Sequence, residues 1–165
     1  MNTQIIIIAA IDRAGAIGYK NQLLFHVSAD LKRFKELTTG HTVIMGRHTF
    51  ESLPKGALPN RRNIVLSSNN GLSFPNAEVF SSLELALSHC GDDEKIFIIG
   101  GAEVYKQAIE KADKLYLTEI DAIASNADVY FPIIDANIWC EKRRESHPID
   151  EKHAFAYSFV DYERI

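Results

Sequence analysis

The sequence predicts an α/β fold: one domain over residues 1–165, with a central, mostly parallel twisted sheet, helices on both faces and an antiparallel C-terminal hairpin. Three observations carry this expectation. Residues 4–11 and 95–99 are apolar without alternation, as in parallel strands covered on both faces. Such runs alternate along the chain with segments of helical period. In the tail, Phe155, Tyr157 and Phe159 alternate with small residues beyond a turn at 148–151, the pattern of a hairpin with one open face.

In chain order, the strand at 4–11 leads into residues 12–24, where Gly15, Gly18 and Asn21 and weak periodicity predict a long loop. Loops of that length inside a compact domain are often functional. A helix follows, with Ser28 placed as its N-cap and Val27, Leu31, Phe34 and Thr38 as the inward stripe, ending at Thr39-Gly40. Residues 42–45 read as a strand, 46–51 as a turn into a short helix, 54–60 as a loop, 62–67 as a strand and 68–71 as a turn. A brief strand at 78–80 precedes Ser81-Ser82-Leu83-Glu84, a capping-box pattern opening a helix that Gly91 closes. After the strand at 95–99 and Gly100-Gly101 comes a helix carrying Val104, Tyr105, Ala108, Ile109 and Ala112, then a strand at 115–120 that includes Thr118. Residues 139–146 and 154–162 form the hairpin.

Composition narrows the function. A net charge of −4 and the lack of a long basic stretch argue against nucleic acid as a partner. The apolar opening is too short to span a bilayer and has no cationic leader, which argues against a membrane. Cys90 and Cys140 have no metal-like spacing and suit the reduced thiols of a cytoplasmic protein. HExxH, CxxC and G-x-S-x-G are all missing, so metal-assisted hydrolysis and serine-hydrolase chemistry lack support, and no metal is expected.

Asp30 falls in the first turn of its helix, at the edge of the apolar stripe. Two readings are open. It can complement the positive end of the helix dipole, or it can be a lone carboxylate at the floor of an apolar pocket, gripping a planar ligand. Elsewhere, two strand–glycine–helix junctions, at Gly46 and at Gly100-Gly101, put helix N-termini at the carboxyl edge of the sheet, where free N–H groups favour phosphate. Neither is the full G-x-G-x-x-G, and either can be a simple tight turn. Arg47 and His48 add cationic donors at the first junction, and Ser67 and Ser68 add hydroxyls at the end of the next strand. One carboxylate among apolar groups suits hydride transfer, in which a cofactor brings the difficult chemistry and the protein orients and polarises.

Several stretches together resemble bacterial dihydrofolate reductase. They are Ile17-Gly18, Ala29-Asp30-Leu31-Lys32-Arg33-Phe34-Lys35, the run from Val43 to Ser52, the run from Leu58 to Ser67, the run from Ile98 to Tyr105, Leu115-Tyr116-Leu117-Thr118 and Tyr130-Phe131-Pro132. The resemblance is in order and spans nearly the whole chain. It implies NADPH-dependent reduction of 7,8-dihydrofolate, with hydride passing from nicotinamide C4 to pterin C6 and a proton reaching N5. Under it, Asp30 is the one ionisable group of the pterin pocket, accepting from the ring N3–H and the 2-amino group, and Thr118 hydrogen-bonds that carboxylate. Ile8, Leu31, Phe34, Lys35, Leu53 and Leu58 line the substrate path, and Arg61 binds the α-carboxylate of the glutamate tail. Residues 16–24 form a mobile lid, with Asp128 steadying it from a neighbouring loop. The cofactor is held by Ala10, Ala16, Ile17, Gly18 and Leu23, by Gly46, Arg47, His48 and Thr49, by Leu66, Ser67 and Ser68, and by Gly100, Gly101, Ala102, Glu103, Val104 and Tyr105. A cis bond joins the paired glycines. Diaminopyrimidine antifolates are the implied inhibitors, and a monomer is expected.

The chain departs from the family's pattern where Leu24-Phe25 replaces Pro-Trp and Ser28 replaces Pro. Phe25, in the catalytic position of the tryptophan, has no indole N–H to hold an ordered water over the pterin. Two other readings stand beside the main one: a reductase of the same fold acting on a deaminated pyrimidine intermediate, and a nucleotide-binding sensor without turnover. Asp30, Phe34 and Arg61 argue against the first, Asp30 and the lid against the second.

Overall fold

Side-chain alternation along the first strand builds both layers of the molecule. In the computed structural model, which describes residues 3–19, 22–23, 27–69, 71–124 and 126–165, strand β1 (Gln4–Ile11) sits inside an eight-stranded sheet. Its Ile7, Ala9 and Ile11 join one buried cluster and its Ile6 and Ile8 another. The same division recurs on β4 (Thr42–Gly46), where Ile44 opposes Val43 and Met45, and on β7 (Lys95–Ile98), where Ile96 and Ile98 oppose Phe97. Successive side chains of a strand point to opposite faces, so an unbroken apolar run requires cover on both sides. Burying each of the Ile, Val, Met and Phe side chains among these contributes roughly 1.5–3 kcal/mol.

Helices α3 (Leu83–Ser88) and α4 (Ala102–Ala108) give Leu83, Ala86, Val104, Tyr105 and Ala108 to the first cluster. Helices α1 (Ser28–Thr38) and α2 (Arg47–Glu51) give Phe34, Leu37 and Phe50 to the second. The remaining strands are β2 (Ala16–Tyr19), β3 (Gln22–Leu23), β5 (Arg62–Leu66), β6 (Ala77–Phe80), β8 (Lys114–Ile120), β9 (Val129–Tyr130), β10 (Trp139–His147) and β11 (Tyr157–Arg164). The large sheet runs β10-β11-β8-β1-β7-β4-β5-β6. Pairing is parallel from β8 to β6, while β11 is antiparallel to both β8 and β10. The parallel strands therefore deliver their carboxyl ends to one edge, where α2 and α4 begin.

Several sequence expectations change. The stretch 12–24 is not wholly loop: β2 and β3 pair there, and β2 also pairs with β9, making a separate three-stranded sheet. β2 pairs with β9 across more than a hundred residues of chain, and β3 adds to β2 alone; local periodicity does not register such a pairing. Ser28 is not the N-cap; Val27 is, Ser28 already lies in the helix, and no side chain of the cap residue bonds its N–H groups. Leu31 is 45% exposed and joins none of the buried clusters, so the inward stripe of α1 is Val27, Phe34 and Thr38. The α3 cap is Ser82, which accepts from Leu85 N–H, rather than the Ser81–Glu84 box, and that helix ends at Ser88, short of Gly91. Helix α4 stops at Ala108; Ala112 is buried in a turn that its N–H makes to the Ala108 carbonyl.

Candidate active site

Asp30 stands in the first turn of α1, joined to β8 by one hydrogen bond. Thr118 of β8 sits opposite Ala10 of β1 and Phe159 of β11, and its hydroxyl donates to Asp30 Oδ1 at 2.5 Å. The carboxyl is half-buried, and desolvation pushes its pKa upward; the Thr118 hydroxyl and the Arg33 charge oppose this less strongly. Arg33 is itself committed to Asp161 at 2.9 Å and lies over the Phe159 ring, 4.5 Å from its centroid. Asp30 also raises the pKa of the fully buried Tyr105 hydroxyl, after burial itself. Burial thus disfavours the charged form of this carboxyl.

The apolar wall beside it comes from the second cluster. Ile8 and Phe50 are buried there, with Phe34, Leu53 and Leu58 packed against them, so four of the residues expected along the substrate path lie together. Leu31 lies on the exposed side of the same helix, next to Asp30, and Lys35 one turn on is exposed. At the far end of α1, Arg61 is fixed by its own donors: Nε to the Pro59 carbonyl at 2.9 Å and Nη1 to Thr38 Oγ1 at 3.0 Å. Partial burial lowers its pKa, yet a guanidinium stays charged at any ordinary pH. No carboxylate pairs with it among the described residues.

Across the sheet edge, the Gly46 N–H donates to the Gly100 carbonyl at 2.8 Å, joining the two strand–helix junctions into one floor. The Gly100-Gly101 peptide is cis. A Cβ on Gly46 would meet Val104 Cγ2 at 3.3 Å, and one on Gly100 would meet the Tyr105 hydroxyl at 3.3 Å with φ at +123°. Thr49 Oγ1 is 3.5 Å from the Cβ positions of both paired glycines. Bare backbone is thus presented where the N-terminal N–H groups of α2 and α4 open. Arg47 and His48 lie at the start of α2, each partnered by Glu51 at 3.5 and 3.7 Å. Ser67 accepts from Asn69 N–H, Ser68 is exposed, and Leu66 packs on the first cluster. Ala102 is half-buried, Glu103 exposed, and Tyr105 buried with its hydroxyl donating to the Ile8 carbonyl at 2.9 Å.

The stretch expected as a lid is anchored at its base by Asp12, 3% exposed. Its Oδ1 accepts from Ala14 and Ala16 N–H at 2.8 and 2.9 Å, and its Oδ2 from Ala124 N–H at 2.8 Å. Ala16 is buried, Ile17 packs on the first cluster, and Gly18 pairs with Leu23 of β3 and Val129 of β9, the residue after Asp128. Leu24 and Phe25 lie outside the described residues.

Sequence reasoning missed two groups that shape this site. Asp12 was visible only as the start of a loop, although an acid directly after an unbroken apolar strand marks where a turn needs acceptors. His153, 8% exposed, carries no such signal. Among the described residues, no cluster of His, Cys, Asp and Glu could hold a metal ion, and no helix is long and apolar enough to cross a membrane.

Comparison with known proteins follows the same lines. A sequence model of the family described as dihydrofolate reductase matches residues 4–164. Dihydrofolate reductase type 3 of Salmonella typhimurium is 43% identical over 97% of this chain and 98% of its own length. Dihydrofolate reductase of Bacillus subtilis (strain 168) is 41% identical over 95% of this chain and 92% of its own. Among solved structures, dihydrofolate reductase from Enterococcus faecalis complexed with NADP(H) and RAB-propyl superposes with a TM-score of 0.91 at 35% identity, covering 98% of this chain and 96% of that one.

Proposed function

The chain belongs to the dihydrofolate reductase family, and on that premise we propose how its cleft reduces 7,8-dihydrofolate to 5,6,7,8-tetrahydrofolate with NADPH. The observation that carries the reading is the Asp30–Thr118 pair, a desolvated carboxylate beside an apolar wall, with Arg61 at the wall's other end and no carboxylate among the described residues paired with it.

Asp30 accepts from N3–H and the 2-amino group of the pterin, a two-point contact that fixes which ring edge faces the sheet. Thr118 holds the carboxylate in place by donating to Oδ1. The negative charge raises the basicity of the bound ring and favours a proton on N5. Ile8, Phe34, Leu53 and Leu58 keep water from the ring and the aminobenzoyl group, and Leu31 and Lys35 border the path from the exposed side of α1. Arg61, already aligned by Thr38 and Pro59, pairs with the α-carboxylate of the glutamate tail.

The glycine floor fits a dinucleotide lying against backbone, since a Cβ at Gly46 or Gly100 would occupy that surface. Gly46, Arg47, His48, Thr49, Ser67, Ser68 and the segment from Gly100 to Tyr105 would hold it through N–H groups, hydroxyls, the Arg47 guanidinium and the His48 imidazole, with Leu66 beside them. Ala10, Ala16, Ile17, Gly18 and Leu23 would complete its site. NADPH bound there supplies the hydride. Diaminopyrimidine antifolates compete by presenting donors to Asp30 as the pterin does. We propose a monomer acting in the cytoplasm: the free thiols Cys90 and Cys140 suit a reducing compartment, and a net charge of −4 does not favour nucleic acid as a partner. Loss of NADPH absorbance on adding dihydrofolate, abolished by a diaminopyrimidine, tests the reading. Absence of dihydrofolate-dependent consumption overturns it.

A further inference from the structure

We infer that His153 is a positioning residue for substrate binding, acting as the N-terminal cap of α1 from 124 residues away. The inference rests on the proposed role of Asp30. The first turn of α1 leaves its N–H groups without intrahelical partners, and the cap residue, Val27, has no side-chain acceptor to offer. His153 fills that place: Ala29 N–H donates to its Nε2 at 3.2 Å, with Ser28 Oγ at 3.1 Å from the same nitrogen.

A backbone N–H can only donate, so Nε2 is the acceptor and the ring proton of the neutral imidazole sits on Nδ1. Nδ1 lies 2.8 Å from Asp150 Oδ1, which accepts that proton's hydrogen bond and is held below the usual carboxylate range chiefly by it. Asp150 is fixed in turn. Its Oδ1 also accepts from Lys152 N–H, and the backbones of Asp150 and His153 exchange hydrogen bonds in both directions. The ring packs against Tyr157, 4.9 Å between centroids, in the buried cluster that contains Val27. A turn between β10 and β11 thus sets tautomer, orientation and depth of a ring whose lone pair ends on the residue before Asp30. Asp30 is held from two sides, by Thr118 through its side chain and by His153 through its backbone.

The test compares His153→Phe, which keeps a buried ring without the acceptor, with His153→Gln, whose Oε1 can stand where Nε2 was. His153→Phe is expected to raise the KM and Kd for dihydrofolate about fivefold, the equilibrium equivalent of one lost cap. The Kd for NADPH, bound by other elements, should not change, and His153→Gln should recover most of the loss. In a Ser28→Pro background the cost of His153→Phe should shrink, because proline at the first helical position presets the helix start. Equal weakening of NADPH and dihydrofolate, no weakening at all, or a His153→Gln variant no better than His153→Phe overturns the inference. Amide exchange at Ala29 in the ligand-free proteins reads the cap directly: it should be slow in wild type and His153→Gln and fast in His153→Phe. That measurement holds even if wild type fails to reduce dihydrofolate, so failure of the cap and failure of the assigned reaction are distinguishable.

Discussion

Replacing Asp30 by asparagine separates catalysis from stability, because the two should move in opposite directions. The carboxylate presents two oxygens to two ligand N–H donors, while Thr118 already donates to Oδ1. An amide has one oxygen. Whichever way it turns, one ligand donor meets an NH₂ group, so one charge-assisted bond is lost and the other becomes a neutral one. With about 1.5–3 kcal/mol for the first loss and about 1 kcal/mol for the second, transition-state binding should fall by about 2.5–4 kcal/mol, or about 10²–10³ in kcat/KM. Stability behaves otherwise. Burial raises the folded-state pKa of Asp30 above its unfolded value, so in the window upward from about pH 4 the native state keeps a proton that the unfolded chain has released. Stability contributed by this group is therefore present at low pH and declines as pH rises through the window. The amide carries no such dependence.

Asp30→Asn should accordingly unfold at a higher temperature than wild type at pH 7, and the gap should close in acid. Single-turnover hydride transfer, followed across pH, should fall with rising pH in wild type as protons for N5 become scarce. In the variant the deficit should be largest at neutral pH and partly recovered in acid, where solvent protonates the substrate directly. If Asp30 only complements the helix dipole, the variant should instead lose about 0.3–1 kcal/mol of stability and keep its rate. Wild-type rates at pH 7 together with a lowered melting temperature would refute the reasoning.

Three further outcomes are expected. Arg61→Ala should lower kcat/KM for dihydrofolate by roughly tenfold to a hundredfold, as for a charge-assisted pair, and leave a dihydropterin without a glutamate tail unaffected; equal losses on both substrates would show that Arg61 does not read the tail. Asp12→Ala leaves the N–H groups of Ala14, Ala16 and Ala124 without their acceptor; it should cost about 2–4 kcal/mol in urea unfolding and expose β2 amides to exchange. Arg47→Ala should raise the KM for NADPH about tenfold and spare NADH, since a 2′-phosphate adds a charge-assisted contact of about 1.5–3 kcal/mol; equal effects on the two cofactors would remove Arg47 from that role.

What the sequence discloses and what it hides divides along a physical line. The central sheet is legible because continuous burial on both faces leaves a continuous apolar run, as in Ile5 to Ile8 and Ile96 to Ile99. The two glycine junctions are legible because side-chain absence is itself a residue type, and Asp30 because a carboxylate on the edge of an apolar stripe is chemically out of place. Thr118 is not marked by its neighbours. It lies 88 residues from Asp30, and only the resemblance to a family joined them. The small sheet of β2, β3 and β9 escapes because pairing of strands as short as Gln22–Leu23 and Val129–Tyr130 is decided by the partner, not by a period within either strand. Leu31 escapes because a helical stripe tells which residues share a face but not where cover by the sheet ends and a cleft begins. Ser28 misleads for a related reason: its hydroxyl is of the kind that caps helices, yet Ser28 already lies in the first turn and His153 supplies the acceptor. The common element among the hidden groups is the backbone. Asp12 and His153 both act by accepting from main-chain N–H groups of Ala14, Ala16, Ala124 and Ala29, and a main-chain N–H is the same at every residue but proline. No spacing or side-chain type in the sequence can mark which of them a distant acceptor will find. Candidate groups such as Asp30 and the paired glycines are therefore readable one at a time, whereas the groups that hold them become visible only once the chain has closed on itself.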